Sequence, residues 1–375
     1  MNSKSRARAT LISALTMAIA ATGIWAAHAA NGEREIAGTQ DIQGDASVSA
    51  AELTGAIDAL FDDTGTLGQT HAVVVMHGGE IIAERYAPGF GPDTKQLSWS
   101  MAKSVTAVLT GLMVLDGRLA LDSPVPLPAW RQTGDPRGAI TLRQLLTMSS
   151  GIAHNEDNGP IARTDTAQML FTGGSQDMAG FAEAKPLEQR PGSAFNYSSA
   201  TSVIISDLIA SRLTTSTDPQ VRRDAMATFV RERLAKPGGM PSLTPEYDAR
   251  GTMIGGSIMH MTARDYARFG ELLRNKGRAN GRQIVPERWI SLMTTPSKAN
   301  AGYGLHIWLN AQAPGNALFG GGGPPGIFGC VGHNGQYILV SPSQRLTVVR
   351  LGVSTTEQRV PLRAELLKLI RMFPG

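Results

Sequence analysis

The sequence predicts an α/β fold of the α+β kind: one antiparallel sheet built from both chain ends, flanked by helices, with a mostly helical subdomain inserted between. Three observations carry this. Strand-like runs occur early, at residues 71–76 and 81–86, on either side of His77-Gly78-Gly79-Glu80. They return only late, at 305–309, 329–333, 336–340 and 346–351. From about 100 to 300 the apolar residues instead recur at three- and four-residue spacing between polar loops. Strands joined by short glycine-containing turns pair antiparallel. The sheet is therefore drawn from about 70–98 and 303–352, and the helical part from about 100–300.

Residues 1–29 stand apart from the fold. Lys4, Arg6 and Arg8 form a basic start, residues 11–27 are almost wholly apolar, and Ala27-His28-Ala29 supplies a small-x-small cleavage pattern. This predicts a signal peptide, a mature start near Ala30, no stable membrane anchor after cleavage, and a periplasmic or secreted location. The chain carries 35 Lys and Arg against 31 Asp and Glu. Removing three cations with the signal leaves 32 against 31, a net charge of +1. With no Lys/Arg run interleaved with aromatics, nucleic acid is not an expected partner. Cys330 is the only cysteine, so no internal disulfide forms. Stability must come from a large core, which 375 residues permit.

In order, residues 30–48 are polar and read as a flexible lead-in, and one domain follows over 49–375. Ser49-Ala50-Ala51-Glu52 is a capping box opening a helix to about residue 61, with Leu53, Ile57 and Leu60 on its apolar face. After the early hairpin, Val105, Val108, Leu109, Leu112 and Met113 mark an amphipathic helix that stops at Asp116-Gly117. Thr141-Leu142-Arg143-Gln144 is a second capping box, opening a helix over 142–148. A long polar loop holds His154, Glu156 and Asp157. Helices follow over 201–213 and 224–234, from Thr262 onward, and after Pro286. Among the late strands Asn334-Gly335 is a hairpin turn signal. Residues 361–372 close the chain as a helix.

Three segments carry chemistry. Ser100 and Lys103 stand at i and i+3 where the buried helix begins, so they share one face. The hydroxyl is a potential nucleophile, the free N–H groups of the helix start can steady an oxyanion, and a neutral lysine can take the serine proton. Tyr197 lies in a polar loop just before a helix, where its phenol can move protons. The third segment, Gly332-His333-Asn334-Gly335-Gln336, sits on the late hairpin, where an edge strand can present a second backbone N–H to the oxyanion. For Lys103 to act as a base near neutrality its pKa must fall about three units from ~10.4, or roughly 4 kcal/mol. Burial and the helix N-terminus push that way, and a neighbouring cation would add to the push.

These segments resemble the serine hydrolase superfamily of class C β-lactamases, penicillin-binding DD-peptidases and related esterases. Within it they are most similar to the 6-aminohexanoate-dimer (nylon-oligomer) hydrolase branch. The resemblance spans roughly residues 70–352. It rests on 98–104 (Ser-Trp-Ser-Met-Ala-Lys-Ser), 140–151 (Ile-Thr-Leu-Arg-Gln-Leu-Leu-Thr-Met-Ser-Ser-Gly), 191–199 (Pro-Gly-Ser-Ala-Phe-Asn-Tyr-Ser-Ser), 262–270 (Thr-Ala-Arg-Asp-Tyr-Ala-Arg-Phe-Gly) and 332–336 (Gly-His-Asn-Gly-Gln). It implies a β-lactamase/transpeptidase-like fold and an acyl-enzyme on Ser100. Lys103 then assists deprotonation, and Tyr197 serves as the acid/base toward leaving group and water. The Ser100 N–H and one near His333 and Gly335 would form the oxyanion hole. The expected substrate is a small-molecule amide or ester, with β-lactamase or DD-peptidase activity, or a catalytically silent penicillin-binding-like protein, as alternatives.

Two departures bear on substrate. The superfamily's Tyr-x-Asn reads Tyr-x-Ser here, ending at Ser199, and its Lys-Thr-Gly lysine is missing. Either the His333 side chain takes the cationic role, or position 333 gives only its backbone N–H. Glu156 and Asp157 in the polar loop, with Ser199, are possible substrate contacts, the carboxylates for an amine-bearing one. Gly321-Gly322-Gly323-Pro324-Pro325-Gly326 formally matches G-x-G-x-x-G but holds two prolines and leads into no helix, so it reads as a loop. The histidines lack ligand spacing, and no cofactor or metal is expected. Trp308 reads as core, with a cleft wall as the alternative, and Cys330 as a small buried side chain.

Overall fold

The computed structural model describes residues 38–375 apart from Asp63 and Pro314. The expected signal peptide, 1–29, lies outside the described residues. The elements run β1 (Thr39–Ile42), α1 (Ala50–Leu60), β2 (Gln69–His77), β3 (Glu80–Tyr86), β4 (Lys95–Leu97), α2 (Ala102–Leu115), α3 (Leu142–Leu146), α4 (Asp165–Phe171), α5 (Met178–Glu183), α6 (Ser199–Leu213) and α7 (Pro219–Val230). They continue as β5 (Thr244–Pro245), β6 (Met259–Thr262), α8 (Ala263–Arg274), the two-residue strands β7 (Arg278–Ala279) and β8 (Arg282–Gln283), α9 (Glu287–Met293), β9 (Trp308–Leu309), β10 (Phe328–Gly332), β11 (Gln336–Ser341), β12 (Leu346–Val353) and α10 (Arg359–Arg371).

The main sheet has the order β1-β3-β2-β12-β11-β10-β9, every pair antiparallel. Its two chain-end halves meet where β2 pairs with β12, Val74 opposite Val349. Alternate side chains serve two cores, as the two-residue period of a strand requires. Val73, Val75, Leu339 and Val348 pack with Leu53 and Ile57 of α1 and Leu362 and Leu366 of α10. Val74, Met76, Ile338 and Val349 face the other way, toward Phe269 and Leu272 of α8 and the helical part. Burial on both faces explains why β2 is a continuous β-branched run rather than an alternating one.

Four expectations change. The stretch 30–48, expected as a flexible lead-in, holds strand β1, which pairs with β3, Gln40 opposite Arg85; an edge strand facing solvent carries little hydrophobic signal. The helix expected over 224–234 starts at Pro219, capped by the Asp218 carboxylate, and ends in a π turn over Arg231–Ala235. The strand expected over 305–309 shrinks to Trp308–Leu309, because His306 adopts φ 54° and turns its N–H onto Leu146 O. β10 is not the outermost strand, yet β9 covers only Phe328 and Gly329, so the end of β10 remains open on that side.

Helix α2 is buried on every face from Ala102 to Met113, the central rod of the molecule rather than an amphipathic surface helix. Gly111 admits the Trp289 ring against the helix, and the indole Nε1 donates to Ala107 O at 3.0 Å. A Cβ at Gly111 would fall inside that ring. Gly111→Ala is therefore expected to destabilise the fold by about 2 kcal/mol, overpacking outweighing the gain in helix propensity. A shift of the urea midpoint to lower concentration at unchanged slope would show it; an unchanged midpoint would contradict the packing.

Candidate active site

Ser100 lies in a single 3-10 turn, Trp99–Met101, that leads directly into α2. Trp99 is held at φ 44°, a conformation that L residues other than Gly rarely adopt. The turn is fixed from below by Ser98, whose N–H donates to Met259 O at 2.8 Å and whose hydroxyl accepts from Met259 N–H at 3.1 Å. Strand β6 thus sets the height of the serine. Being second in its turn, Ser100 N–H has no acceptor within it and is free for a ligand.

Lys103, one turn on, is 1 % exposed. Its Nζ lies 3.0 Å from Ser100 Oγ, 2.8 Å from Ser199 Oγ and 2.8 Å from Gly256 O. It also sits 4.7 Å from the centroid of the Tyr197 ring. Burial pushes the ammonium down, Glu156 partly restores it, and the balance is a pKa of about 8. The neighbouring charge is thus an anion, not a cation that would add to the push.

Glu156 corrects a second expectation. It does not wait in solvent for an amine-bearing substrate. Its Oε1 accepts from Ser199 Oγ at 2.6 Å; its Oε2 accepts from Ser199 N at 2.7 Å, Thr166 Oγ1 at 2.8 Å and His154 Nε2 at 2.8 Å. Oε1 is 3.8 Å from Lys103 Nζ. Burial alone would raise this carboxyl, but Lys103 and the bonds from His154 and Ser199 outweigh it and hold it at about 2. Asp157 next to it is exposed on a bend.

Tyr197 precedes α6, whose N-cap Ser198 accepts from Thr201 N. Its ring stacks on Trp308 at 5.5 Å between centroids and 27° between planes, and meets Tyr303 edge-on at 5.9 Å. Trp308 is therefore a half-buried wall of the site, the alternative to core that the sequence left open. Burial and the Glu156 charge raise the Tyr197 phenol, while its hydrogen bond to the Ser100 side chain opposes them, so the phenol stays protonated at neutral pH.

The end of β10 abuts the nucleophile turn: a Cβ on Gly332 would lie 2.5 Å from Ser98 O. The next residue, His333, sets its ring edge-on to Trp99 at 5.3 Å. Desolvation, with Arg359 adding and Asp157 and Glu156 opposing, lowers the His333 pKa, which makes the ring a poor stand-in for the missing lysine and favours the backbone N–H as what position 333 offers. Asn334 (φ 58°) and Gly335 (φ 81°) both adopt the left-handed conformation that a tight hairpin turn requires. Gly335 does not line the site, since its Cα faces Arg350, Leu362 and Ser354. Arg350 Nη1 donates to Gly335 O at 2.9 Å and anchors the turn from behind. Cys330 is buried, its thiol pushed up to about 12 by that burial.

The structure thus gathers Ser100, Lys103, Tyr197, Ser199 and Glu156 at one point, with His333 at the rim, exposed Asp157 near enough for its charge to act on Tyr197 and His333, and Gly335 in the turn behind. Sequence reasoning missed Gly256 O, His154 and Thr166. Only the glycine pair Gly255-Gly256 ahead of β6 was a visible signal, and a Cβ on Gly256 would stand 2.7 Å from Ser199 O.

The chain is 27% identical over 228 residues to the 6-aminohexanoate-dimer hydrolase of Paenarthrobacter ureafaciens, a match covering 59% of this chain and 56% of that protein. Among solved structures, a candidate 6-aminohexanoate-dimer hydrolase from Bacillus anthracis superposes with a TM-score of 0.67 at 20% identity, covering 85% of this chain and 83% of that one. A family VIII carboxylesterase gives 0.63 at 16%, covering 88% and 100%. At those identities the two structures speak for the fold alone. The Beta-lactamase family model matches residues 57–371, which takes in every residue gathered around Ser100, and the chain belongs to the Beta-lactamase family.

Proposed function

We propose that this protein is a serine hydrolase that cleaves an amide or ester bond through an acyl-enzyme on Ser100, of the amidase/esterase type found in 6-aminohexanoate-dimer hydrolase. The observation that carries the reading is the 3.0 Å contact between the Ser100 hydroxyl and a buried lysine whose pKa is lowered to about 8. Ser100 Oγ attacks the carbonyl carbon while its proton passes to Lys103 Nζ. The oxyanion is received by Ser100 N–H and by the N–H at position 333. The protonated Tyr197 phenol gives its proton to the departing amine or alcohol, and water then cleaves the acyl-enzyme by the reverse transfers.

The walls speak for the acyl group. Tyr197, Trp308 and Trp99 offer aromatic faces, and the strand that carries a lysine in β-lactamases carries Cys330, Val331 and Gly332, followed by a neutral histidine. A substrate carboxylate has no cation to meet on that strand, which favours neutral or amine-bearing amides and esters over β-lactams.

The test is a set of steady-state rates on p-nitrophenyl acetate and butyrate, a linear aminohexanoate dimer and nitrocefin. Turnover of the esters or the dimer is expected to exceed that of nitrocefin; dominant nitrocefin turnover would overturn the ranking. Because Lys103 must be neutral to accept a proton, kcat/KM is expected to rise with pH and level off above about 8. A profile flat from about pH 6 to about pH 9 would contradict lysine as the base.

A further inference from the structure

Resting on that reading, we propose that Glu156 is a positioning residue that fixes the direction of the Ser199 hydroxyl and so aims the lone pair of the neutral Lys103 amine at Ser100. A neutral amine has two N–H bonds and one lone pair, and Lys103 Nζ has three polar neighbours. Gly256 O can only accept, so it takes one N–H. Ser199 Oγ can donate or accept, and its choice decides the geometry. If it accepts the second N–H, the lone pair is left facing Ser100 Oγ, as proton transfer needs. If it donates to the amine, the lone pair is consumed and Lys103 can no longer act as a base.

The carboxylate of Glu156 removes the choice. Oε1 lies 2.6 Å from Ser199 Oγ and can only accept, so the single Ser199 hydroxyl proton is committed to it. Oε2 is held in turn by Ser199 N–H, Thr166 Oγ1 and His154 Nε2, which prevents the carboxylate from swinging away. The chain of donors therefore runs one way: Lys103 Nζ–H to Ser199 Oγ, and Ser199 Oγ–H to Glu156 Oε1. Ser199 is fully buried, and its remaining polar neighbour, the Ser257 hydroxyl at 3.4 Å, donates to it rather than taking its proton. When Lys103 takes up the Ser100 proton, all three N–H bonds of the resulting ammonium have acceptors, and Glu156 supplies the countercharge 3.8 Å away.

Glu156→Gln keeps the shape and reverses the polarity. Three donors already converge on Oε2, so the amide oxygen takes that place and its NH2 faces Ser199 Oγ, which is then free to donate to Lys103. The measurement is the rate at which a fluorophosphonate labels Ser100 in the full chain, read by mass spectrometry. E156Q is expected to label at least about 100-fold more slowly than wild type, the usual size of a lost general base. S199A removes acceptor and competitor together, so the lone pair is no longer aimed but is not consumed, and it is expected to label about tenfold more slowly than wild type. The double variant E156Q/S199A is expected to regain at least about tenfold over E156Q, because the misdirected donor is gone. A merely structural carboxylate gives additive losses and no such rescue.

Labelling of E156Q at the wild-type rate, or a double variant no faster than a folded E156Q, overturns the proposal. Should E156Q fail to fold, S199A and S199T decide: S199A labelling at least about tenfold more slowly than S199T, which keeps the hydroxyl, supports the lock, and S199A labelling at the wild-type rate overturns it. Wild-type protein that does not label at Ser100 refutes the acylation reading itself. Labelled wild type with variants off this pattern refutes only the role of Glu156.

Discussion

Ser100→Ala is expected to lower kcat by about four orders of magnitude or more on any ester or amide the protein turns over. The reason is local. Of the polar groups around Lys103 Nζ, Ser199 is fully buried and its proton is committed to Glu156, while Gly256 contributes a carbonyl. Neither can take over attack on a carbonyl. The variant should fold as wild type does, since Ser98 rather than Ser100 ties the turn to β6. A loss of less than about tenfold, with circular dichroism unchanged, would move the nucleophile elsewhere.

Lys103→Met is expected to lower kcat/KM by about three orders of magnitude, toward the upper range for loss of a general base. Methionine nearly matches the lysine stem, so the buried slot in α2 stays filled. The partners it leaves are Ser100 Oγ, Ser199 Oγ, Gly256 O and the Glu156 carboxylate. Glu156 keeps its bonds from Ser199 N–H, Ser199 Oγ, Thr166 and His154, which favours a folded variant. It loses the charge that most opposes its burial, so its pKa should rise from about 2. The kinetic signature is loss of the rise in kcat/KM that ends near pH 8. If that rise survives in Lys103→Met, it belongs to another group.

Much of the fold could be read from residue order. The β-branched run of β2, the late strands, and the turn signal at Asn334-Gly335 are all local patterns, and the pairing of the two chain ends follows from having strands nowhere else in strength. What stayed hidden depends on contacts across the chain. β1 is polar but for Ile42, which alone packs on the core, so Thr39–Ile42 looked like a tail. His306 interrupts its strand because Leu146 O, far away in sequence, takes its N–H. Trp308 looked more like core than cleft wall because an aromatic on a strand usually is; its stacking on Tyr197 needs the third dimension.

The site divides in the same way. Ser100 and Lys103 were legible because a helix places i and i+3 side by side, and Tyr197 because it opens α6. Glu156 looked like one more charge in a polar loop, since its partner Ser199 is 43 residues away. The substitution of Ser for Asn at the end of Tyr-x-Asn pointed only to a missing amide. The structure gives it a different sense: the hydroxyl is smaller and can turn, and a carboxylate stands behind it.

The central claim is that Ser100 is the residue acylated. Incubating wild type and Ser100→Ala with a fluorophosphonate, digesting both and locating the adduct by mass spectrometry tests it most directly. The expected result is one adduct in wild type, on the peptide that contains Ser100, and none in the variant. Equal labelling of the two proteins, or an adduct on another residue of wild type, would contradict it.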